Sequence, residues 1–450
     1  MKRKISSYKS IFKYILLTAI AITILFFFGF SKSSIIYSDN EDSVEDQVPV
    51  AINHLLSNEL SNLPTTEKLD AQIEKFMRKW EIKGASLAIM KDEKLIYAKG
   101  YGWADQEQGV KTEVKHIFRI ASVSKLITAV AIMKLSEEGK LSLDDKIFGI
   151  GGHLNYPAFS KFRDKRMKDI TIEHLLRHKG GFSNRRGDPM FSLATISKRL
   201  NLNRAVNEDE LIEYILTQKL GFEPGRGTRY SNLGYFLLSK VIEATTGISY
   251  ESYIQDSILK PNGIYDMYLA HNLYEEKYLN EVKYYEPSNE EPIEAFDGSN
   301  RLLPRCYGGN NIEILLGAGA WVASPVELLK FVSMIDGRNQ VKDILTKESV
   351  AIMTYSQPST LPIGWAKCNK SGDWTRTGTL SGSSALIKYN SNGYSWVFIT
   401  NTSSWKGSAF PKSIDRFFRG AMQRVSEWPK RDLFQVTTAS LTKTPQSLQS

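Results

Sequence analysis

A helix-length segment that is apolar nearly all round constrains this fold more than any other feature. Residues 126–135 read Leu-Ile-Thr-Ala-Val-Ala-Ile-Met-Lys-Leu, and the segment stops at Glu137-Glu-Gly139. A helix without a polar face has to be surrounded by protein, so it belongs inside a large core. A strand-like run that contains Ile117, Phe118 and Ile120 precedes it. The sequence therefore predicts a buried central helix that follows a strand.

The residues that open this helix carry candidate chemistry. Ser122 and Lys125 are one helical turn apart, so their side chains lie on the same face. A serine hydroxyl becomes a good nucleophile when a nearby base takes its proton, and this lysine is close enough to do so. Backbone N–H groups and the helix dipole at a helix N-terminus also favour developing negative charge.

The spacing Ser-x-x-Lys has little meaning by itself in this chain. It occurs six times, starting at Ser6, Ser10, Ser122, Ser257, Ser403 and Ser440. Only the copy at Ser122 follows a strand-like run and opens a long apolar helix. The context, rather than the spacing, selects Ser122.

A second candidate segment contains Tyr230-Ser-Asn232 and follows a loop that Pro224, Gly225 and Gly227 enforce. A tyrosine whose pKa is lowered by neighbouring lysines can serve as general base or acid. Asn232 can hold the lysine or a substrate amide. Taken alone, the triplet is more typical of a loop tyrosine that packs its ring while Asn232 caps the next helix.

A third candidate segment, residues 374–382, reads as an edge strand that enters a tight turn. Its backbone N–H near Thr379 can pair with that of Ser122 as an oxyanion hole. Arg376, which precedes Thr377 and Gly378, can hold a carboxylate with two parallel hydrogen bonds. Taken alone, this segment is more typical of an ordinary strand and turn.

Two other motif classes are disfavoured. His174 and His178 lie at i and i+4, a zinc-binding pattern, but Leu175 stands where a zinc protease has Glu and no third ligand stands out. We interpret them as a structural pair. No Gly-x-Ser-x-Gly segment occurs, which argues against an α/β-hydrolase.

Residues 1–30 predict a targeting segment. A basic stretch precedes 17 uncharged residues, Tyr14 to Phe30, which span about 25 Å as a helix. This length lies between a signal-peptide core and a full membrane span. Because no clear small-x-small cleavage site follows Phe30, we favour an uncleaved anchor over a cleaved signal. The basic flank predicts that the rest of the chain is exported.

The remainder divides into three parts: a polar acidic tether over 31–66 with a short helix near 52–60, a folded body over 67–425, and a polar tail over 426–450 predicted to be disordered. Strand signals stand at both ends of the body and helical patterns between them, which predicts an α+β domain whose terminal strands share a sheet. The strand segments are 84–90, 95–101, 384–389 and 394–400.

Charge and cysteine content restrict the partners. The formal net charge is +9, but no dense basic stripe occurs, so nucleic acid is not an expected partner. A mild attraction to acidic envelope polymers or to carboxylate substrates fits the charge equally well. Export permits a disulfide between Cys306 and Cys368, but their spacing does not require one, and both interpretations stay open.

The three candidate segments occur in the order and rough spacing of the serine β-lactamase and penicillin-binding family. The chain most resembles the branch of class C β-lactamases, D-Ala-D-Ala carboxypeptidases and related esterases. Residues 170–178, Ile-Thr-Ile-Glu-His-Leu-Leu-Arg-His, and residues 317–331 also look like segments of that family. The resemblance extends over about residues 69–420.

The resemblance implies an antiparallel sheet flanked by N- and C-terminal helices, beside a mainly helical region, with the cleft between them. Ser122 would be the acylated nucleophile, Lys125 would help take its proton, and Tyr230 would shuttle protons to the leaving group and in deacylation. Asn232 would contact Lys125 and the substrate amide. The N–H groups of Ser122 and Thr379 would form the oxyanion hole. No metal or cofactor is implied.

Arg376 departs from the family pattern, which usually has Lys in β-lactamases and often His in carboxypeptidases and esterases. Arginine keeps the positive charge but cannot act as a base near neutral pH. Carboxylate-bearing peptides or lactams therefore stay open as substrates, and efficient β-lactamase activity is in doubt.

The expected function is a membrane-anchored serine hydrolase of the bacterial cell envelope that acts through an acyl-enzyme on a peptide, amide or ester. A D-alanyl peptide of peptidoglycan is slightly favoured over other small molecules. The alternatives are a small-ester hydrolase, a weak β-lactamase, or a non-catalytic binding or sensor protein that keeps the fold.

Overall fold

The computed structural model describes residues 49–185 and 187–438, so the predicted targeting segment, the tether up to residue 48 and the tail from residue 439 lie outside the described residues. The α-helices are α1 (Ile52–Leu55), α2 (Glu67–Lys79), α3 (Ser124–Glu137), α4 (Ile172–Leu176), α5 (Leu193–Arg199), α6 (Glu208–Leu216), α7 (Asn232–Thr246), α8 (Tyr250–Tyr253), α9 (Arg305–Gly308), α10 (Pro325–Ser333), α11 (Lys347–Thr354) and α12 (Phe410–Ala421). The strands are β1 (Gly84–Lys91), β2 (Lys94–Asp105), β3 (Val110–Lys111), β4 (Phe118–Arg119), β5 (Met267–Leu269), β6 (Ile293–Glu294), β7 (Leu302–Leu303), β8 (Trp321–Ala323), β9 (Lys367–Cys368), β10 (Trp374–Leu380), β11 (Ser383–Tyr389) and β12 (Tyr394–Thr400). None of the helices in these ranges is both long and apolar enough to span a bilayer.

A seven-stranded antiparallel sheet joins the two ends of the described chain. Its strand order is β3-β2-β1-β12-β11-β10-β9. β1 pairs with β12, with Ala85 opposite Thr400, so the first and last long strands lie side by side at the centre. The prediction that terminal strands share one sheet in an α+β domain is confirmed.

Both faces of this sheet are buried. Trp396 and Phe398 of β12 pack against α2 and α12 on one face. Val397 and Ile399 point to the other face and belong to the larger core, which holds α3 and most of the other helices. Because successive side chains of a strand point to opposite faces, burial on both sides explains the continuous apolar run of β12.

Helix α3 runs through the larger core, as its sequence predicts. Eleven of its fourteen residues are buried. Strand β4 pairs with β8 and precedes the N-terminus of α3 in the chain. The predicted order of strand, serine and buried helix is therefore present, and the packing around α3 fixes the position of its first turn.

The predicted tether ends too late in the chain. Ile52 and Leu56 are buried in the larger core. The side-chain amide of Asn53 donates a 2.6 Å hydrogen bond to the carboxylate of Asp266. Residues from about Ala51 onward therefore belong to the folded body. Ile52 and Leu56 stand at helical spacing, so the sequence predicts a short helix here, but it carries no signal that this helix packs on the folded body.

The predicted disordered tail, 426–450, also begins too early in the chain, because residues after 426 pack on the folded body. Leu433 and Val436 are buried in the larger core. The carboxylate of Asp432 accepts a 3.0 Å hydrogen bond from the backbone N–H of Leu95 in β2. Residues 431–436 thus cover β2 in spite of their polar surroundings in the sequence.

Candidate active site

Ser122 lies in a short 3-10 turn, Ala121–Val123, directly before α3. Ala121 has a φ of +49°, a left-handed conformation that residues with a Cβ rarely adopt. The hydroxyl of Ser124 stabilises this strained turn, because it donates a 2.7 Å hydrogen bond to the Ala121 carbonyl and accepts one from the N–H of Trp321. The turn holds Ser122 at the N-terminus of the buried helix.

The ammonium group of Lys125 is completely enclosed and has three hydrogen-bond acceptors. It donates to Ser122 Oγ at 3.2 Å, to Asn232 Oδ1 at 2.6 Å and to the carbonyl of Ala318 at 2.5 Å. A lysine ammonium has three N–H bonds, so all of them are used. Lys125 is therefore fixed in one position beside the nucleophile.

Tyr230 lies close to both Ser122 and Lys125, and Lys125 Nζ is 5.0 Å from the centroid of its ring. Its hydroxyl lies 2.7 Å from Ser122 Oγ and donates to it. The residue is 43% exposed. Tyr230 therefore connects the nucleophile to the open side of the site, where substrate would enter.

Neighbouring charges shift the pKa values of both groups. Burial raises the pKa of Tyr230, but the positive charges of Lys125 and Arg376 outweigh it and bring this pKa below its ordinary value. Burial lowers the pKa of Lys125; Tyr230 opposes that shift and Arg376 adds to it. The tyrosine is thus easier to ionise than in water, which suits a proton shuttle.

Asn232 is free to take part in the site because its neighbour caps the helix. The hydroxyl of Ser231 accepts a 3.1 Å hydrogen bond from the N–H of Gly234 at the start of α7. The amide of Asn232 instead links Lys125 to Asp188: its oxygen accepts from the lysine, and its nitrogen donates to Asp188 Oδ2 at 2.7 Å. The helix-capping interpretation of Asn232 is therefore wrong.

The glycine of the third segment allows β10 to approach the nucleophile turn. A Cβ at Gly378 would lie 2.1 Å from the carbonyl oxygen of Ile120 and 3.0 Å from the backbone nitrogen of Ser122. Both atoms belong to the backbone, so they cannot move aside without displacing the main chain. Glycine at this position is therefore a packing requirement of the site.

The backbone N–H of Thr379 points towards a free strand edge. The carbonyl of Thr375 accepts from the N–H of Ala366 on the β9 side of β10. Alternate residues of a strand direct their backbone groups to the same side, so Thr377 and Thr379 also face that side. In the described part of the chain, β9 pairs with β10 only at Trp374 and Thr375. The edge beside Ser122 can therefore supply the second donor of an oxyanion hole, as the sequence predicts.

Arg376 is buried, with 2% of its surface exposed. Its Nε donates a 2.7 Å hydrogen bond to the carbonyl oxygen of Ser122, and its Nη2 donates to the same oxygen. The guanidinium therefore holds the backbone of the nucleophile and adds a positive charge behind it. The carboxylate clamp predicted for Arg376 stays a prediction, because the contact seen here is with the protein itself.

His174 lies in α4 and His178 lies just after it, and the two side chains have separate structural roles. His174 Nδ1 accepts from the N–H of Thr171 in the cap of α4. His178 Nδ1 accepts from the N–H of Ser231 at 3.2 Å, and its ring lies 4.6 Å from the ring of Tyr230. Burial and the two nearby cations hold the pKa of His178 well below its ordinary value, so the ring is neutral.

Sequence reasoning missed Asp188 and the placement of His178 behind Tyr230. Asp188 gave a weak signal, since Asp before Pro189 is typical of a cap, and its other oxygen does accept from the N–H of Met190. Nothing in the sequence connects it to Asn232. The disulfide left open by the sequence is not formed, because Cys306 and Cys368 are both free thiols.

Comparison with known proteins assigns the family. A family model described as Beta-lactamase matches residues 69–416, most of the chain. The chain belongs to the beta-lactamase family. The family is one of serine hydrolases of the β-lactamase and penicillin-binding type, and the match confirms the family and the fold that the sequence predicts.

Two curated members resemble part of this beta-lactamase-family chain. Protein flp of Staphylococcus aureus (strain NCTC 8325 / PS 47) is 34% identical over 195 residues, which cover 43% of this chain and 36% of the relative. Penicillin-binding protein 4* of Bacillus subtilis (strain 168) is 31% identical over 198 residues, covering 44% of this chain and 40% of the relative. The matches thus span well under half of either relative.

Solved structures extend the likeness over most of the chain. The octameric penicillin-binding protein homologue from Pyrococcus abyssi is 26% identical with a TM-score of 0.58, covering 80% of this chain and 79% of that chain. The D-amino acid amidase from Ochrobactrum anthropi SV3 complexed with D-phenylalanine is 20% identical with a TM-score of 0.61, covering 80% and 99%. D-alanine carboxypeptidase AmpC from Burkholderia cenocepacia is 16% identical with a TM-score of 0.59, covering 79% and 98%. The last two likenesses show the fold alone.

Proposed function

We propose that this protein hydrolyses a peptide or amide through an acyl-enzyme on Ser122, with a D-alanyl peptide of the cell wall as the favoured substrate. One observation carries the proposal: Ser122 Oγ lies 2.7 Å from the Tyr230 hydroxyl and 3.2 Å from Lys125 Nζ. A hydroxyl between two groups of lowered pKa, at the N-terminus of a buried helix, is the arrangement that nucleophilic catalysis requires.

In the acylation step, Tyr230 in its ionised form takes the proton of Ser122 while Oγ attacks the substrate carbonyl carbon. Lys125 and Arg376 supply the positive charge that stabilises the phenolate. The carbonyl oxygen becomes negative between the N–H groups of Ser122 and Thr379. Tyr230 then gives its proton to the departing amine, the carbon–nitrogen bond breaks, and an ester on Ser122 remains.

In the deacylation step, the same tyrosine takes a proton from an attacking water molecule. The hydroxide oxygen bonds to the acyl carbon, and the bond to Ser122 Oγ breaks with return of the proton from Tyr230. The products are a free carboxylic acid and the original serine hydroxyl. Each step leaves Tyr230 and Lys125 in their starting states.

The charge of the site supports a substrate that bears a carboxylate. Lys125 and Arg376 are both buried at the nucleophile, and Asp188 is the acidic group that contacts their network. The surplus of positive charge favours an anionic group close to the scissile bond. Two solved structures with this fold are a D-amino acid amidase and a D-alanine carboxypeptidase, which is why we favour a D-alanyl peptide.

An extracytoplasmic location also belongs to this proposal. It rests on the basic stretch and the 17 uncharged residues Tyr14 to Phe30. Protease added to intact cells should degrade the folded body if that body is outside the cytoplasm. Protection until the membrane is opened would contradict the location and leave the chemistry untouched.

A substrate panel tests the reaction. The full chain is incubated with a peptide ending in D-Ala-D-Ala, its L-Ala-L-Ala counterpart, a p-nitrophenyl ester and a chromogenic cephalosporin. We expect release of D-alanine that is lost in Ser122→Ala. Equal rates on the D- and L-peptides would reject the D-alanyl preference. Turnover of the ester alone would favour an esterase, and a stable adduct without turnover would favour a sensor.

A further inference from the structure

A cavity of about 330 Å³ shares a wall with the candidate active site. Gly187 and Pro189 line it, and these residues flank Asp188. Leu233, which follows Asn232 in the chain, lines it as well. The hydrogen-bonded residues Asp188 and Asn232 are therefore next in the chain to residues of the cavity lining, and Asn232 is in contact with Lys125. A ligand in the cavity would lie next to the catalytic residues.

The cavity continues into a surface groove of about 640 Å³ that shares Arg163, Arg199, Tyr214 and Gln218 with it. Basic side chains lie along the cavity and the groove together: Lys161, Arg163, Arg185, Arg199 and Lys219. Acidic side chains are absent from the described residues that line either space. We call the two spaces together the basic groove.

The charges of the basic groove are not neutralised by neighbouring carboxylates. In the described ranges, none of its five basic side chains takes part in an ion pair. Arg199 donates to the hydroxyl of Tyr214 at 2.7 Å, which leaves its charge unbalanced. Asp164, next to Arg163 in the chain, pairs with Arg166 instead. Like charges held together without counter-ions create a positive potential that attracts an anion.

We propose that the basic groove binds a segment of the substrate that bears two or more phosphate groups, beside the acyl group that Ser122 attacks. The proposal rests on the proposed function and extends it to the substrate class. Arginine supplies most of the charge, and its planar fork donates two parallel hydrogen bonds to a phosphate. Five charges spread over two connected spaces fit a chain of anions better than a single one.

Binding can be measured without catalysis. Full-length Ser122→Ala is titrated with a fluorescent short-chain polyphosphate at two salt concentrations. We expect the double substitution Arg163→Gln, Arg199→Gln to weaken binding at least about tenfold, because each loses charge-assisted hydrogen bonds. The matched control is Lys198→Gln, which removes an exposed charge from α5 beside the groove but not in its lining. Equal losses in the control and the double variant would overturn the proposal.

A poly-glutamate of similar length and charge serves as the second probe. Preference for poly-glutamate over polyphosphate would contradict the phosphate assignment. Two matched acyl esters, with and without a phosphate-bearing extension, then test the groove in turnover. The double variant should raise KM about tenfold for the phosphate ester and leave kcat and the neutral ester unchanged. An equal change for both esters would contradict a substrate role.

The two proposals can fail separately. An uncharged fluorophosphonate should label Ser122 equally in wild type and in the double variant, because the reagent does not use the groove. Absence of labelling in wild type would reject the proposed nucleophile, while polyphosphate binding to Ser122→Ala would still report on the groove. Normal labelling without polyphosphate binding would reject the groove alone.

Discussion

The carboxylate of Asp188 accepts a 2.7 Å hydrogen bond from the side-chain amide of Asn232. Because the amide nitrogen donates there, the amide oxygen has to face Lys125, which donates to it at 2.6 Å. Asp188 therefore fixes the orientation of Asn232 and, through its negative charge, raises the pKa of Lys125 against the effect of burial. Both effects favour the protonated form of the lysine and its position beside Ser122.

Substitution of Asp188 should change activity through this chain of contacts. Asp188→Ala should lower kcat about tenfold, whereas Asp188→Asn can still accept the hydrogen bond and should lower it less. Both remove a negative charge, so the pKa of Lys125 should fall and the alkaline limb of the pH–rate profile should move to lower pH. A profile identical to wild type in both variants would show that Asp188 has only a structural role.

Arg376 should influence the acid limb of the same profile. Its positive charge lowers the pKa of Tyr230, so Arg376→Gln should raise that pKa and move the acid limb of kcat/KM to higher pH. Arg376→Lys keeps the charge and should restore most of the wild-type profile. A shift to lower pH in Arg376→Gln, or the same shift in both variants, would contradict the electrostatic role of Arg376.

Gly378→Ala should damage the site by steric overlap. The new Cβ would lie 2.1 Å from the carbonyl oxygen of Ile120, so β10 and the Ser122 turn have to separate. We expect a loss of about 1–3 kcal/mol in the free energy of unfolding and slower labelling of Ser122. Gly420→Ala is the control, because a Cβ there meets nothing within 4 Å and alanine favours a helix. Equal melting temperatures for the two variants would contradict the close approach.

The packing of residues 51–61 makes a prediction about stability. A chain that begins at residue 67 should lose about 3 kcal/mol or more relative to one that begins at residue 49, because it lacks the buried side chains of Ile52 and Leu56. Urea unfolding of the two chains measures the difference. Asn53→Ala in the longer chain should have a smaller destabilising effect, since it breaks only the side-chain hydrogen bonds to the Lys115 carbonyl and to the Asp266 carboxylate. Equal stability of the two chains would contradict this packing and would support the predicted tether up to residue 66.

Local patterns explain which parts of the molecule the sequence could predict. Apolar runs in the sequence predict the long sheet strands and α3, and the spacing of Ser122 and Lys125 places both residues in one helical turn. Asp188 and His178 are different, because they lie 44 and 53 residues from their partners Asn232 and Ser231. Such contacts arise only when loops pack together in three dimensions. A single sequence carries no periodic signal for them.

We predict that Ser122 is the acylated residue, and intact-mass analysis with peptide mapping is the decisive test. The full chain is treated with a fluorophosphonate and with a penicillin, beside Ser122→Ala, Tyr230→Phe and Ser257→Ala. Ser257 is the matched control, since it precedes Lys260 at the same spacing but is exposed.

We predict one adduct on Ser122 in wild type and in Ser257→Ala, none in Ser122→Ala, and acylation slowed about 100-fold or more in Tyr230→Phe. An adduct that persists in Ser122→Ala, or that maps to any other serine of the wild-type chain, would contradict the claim.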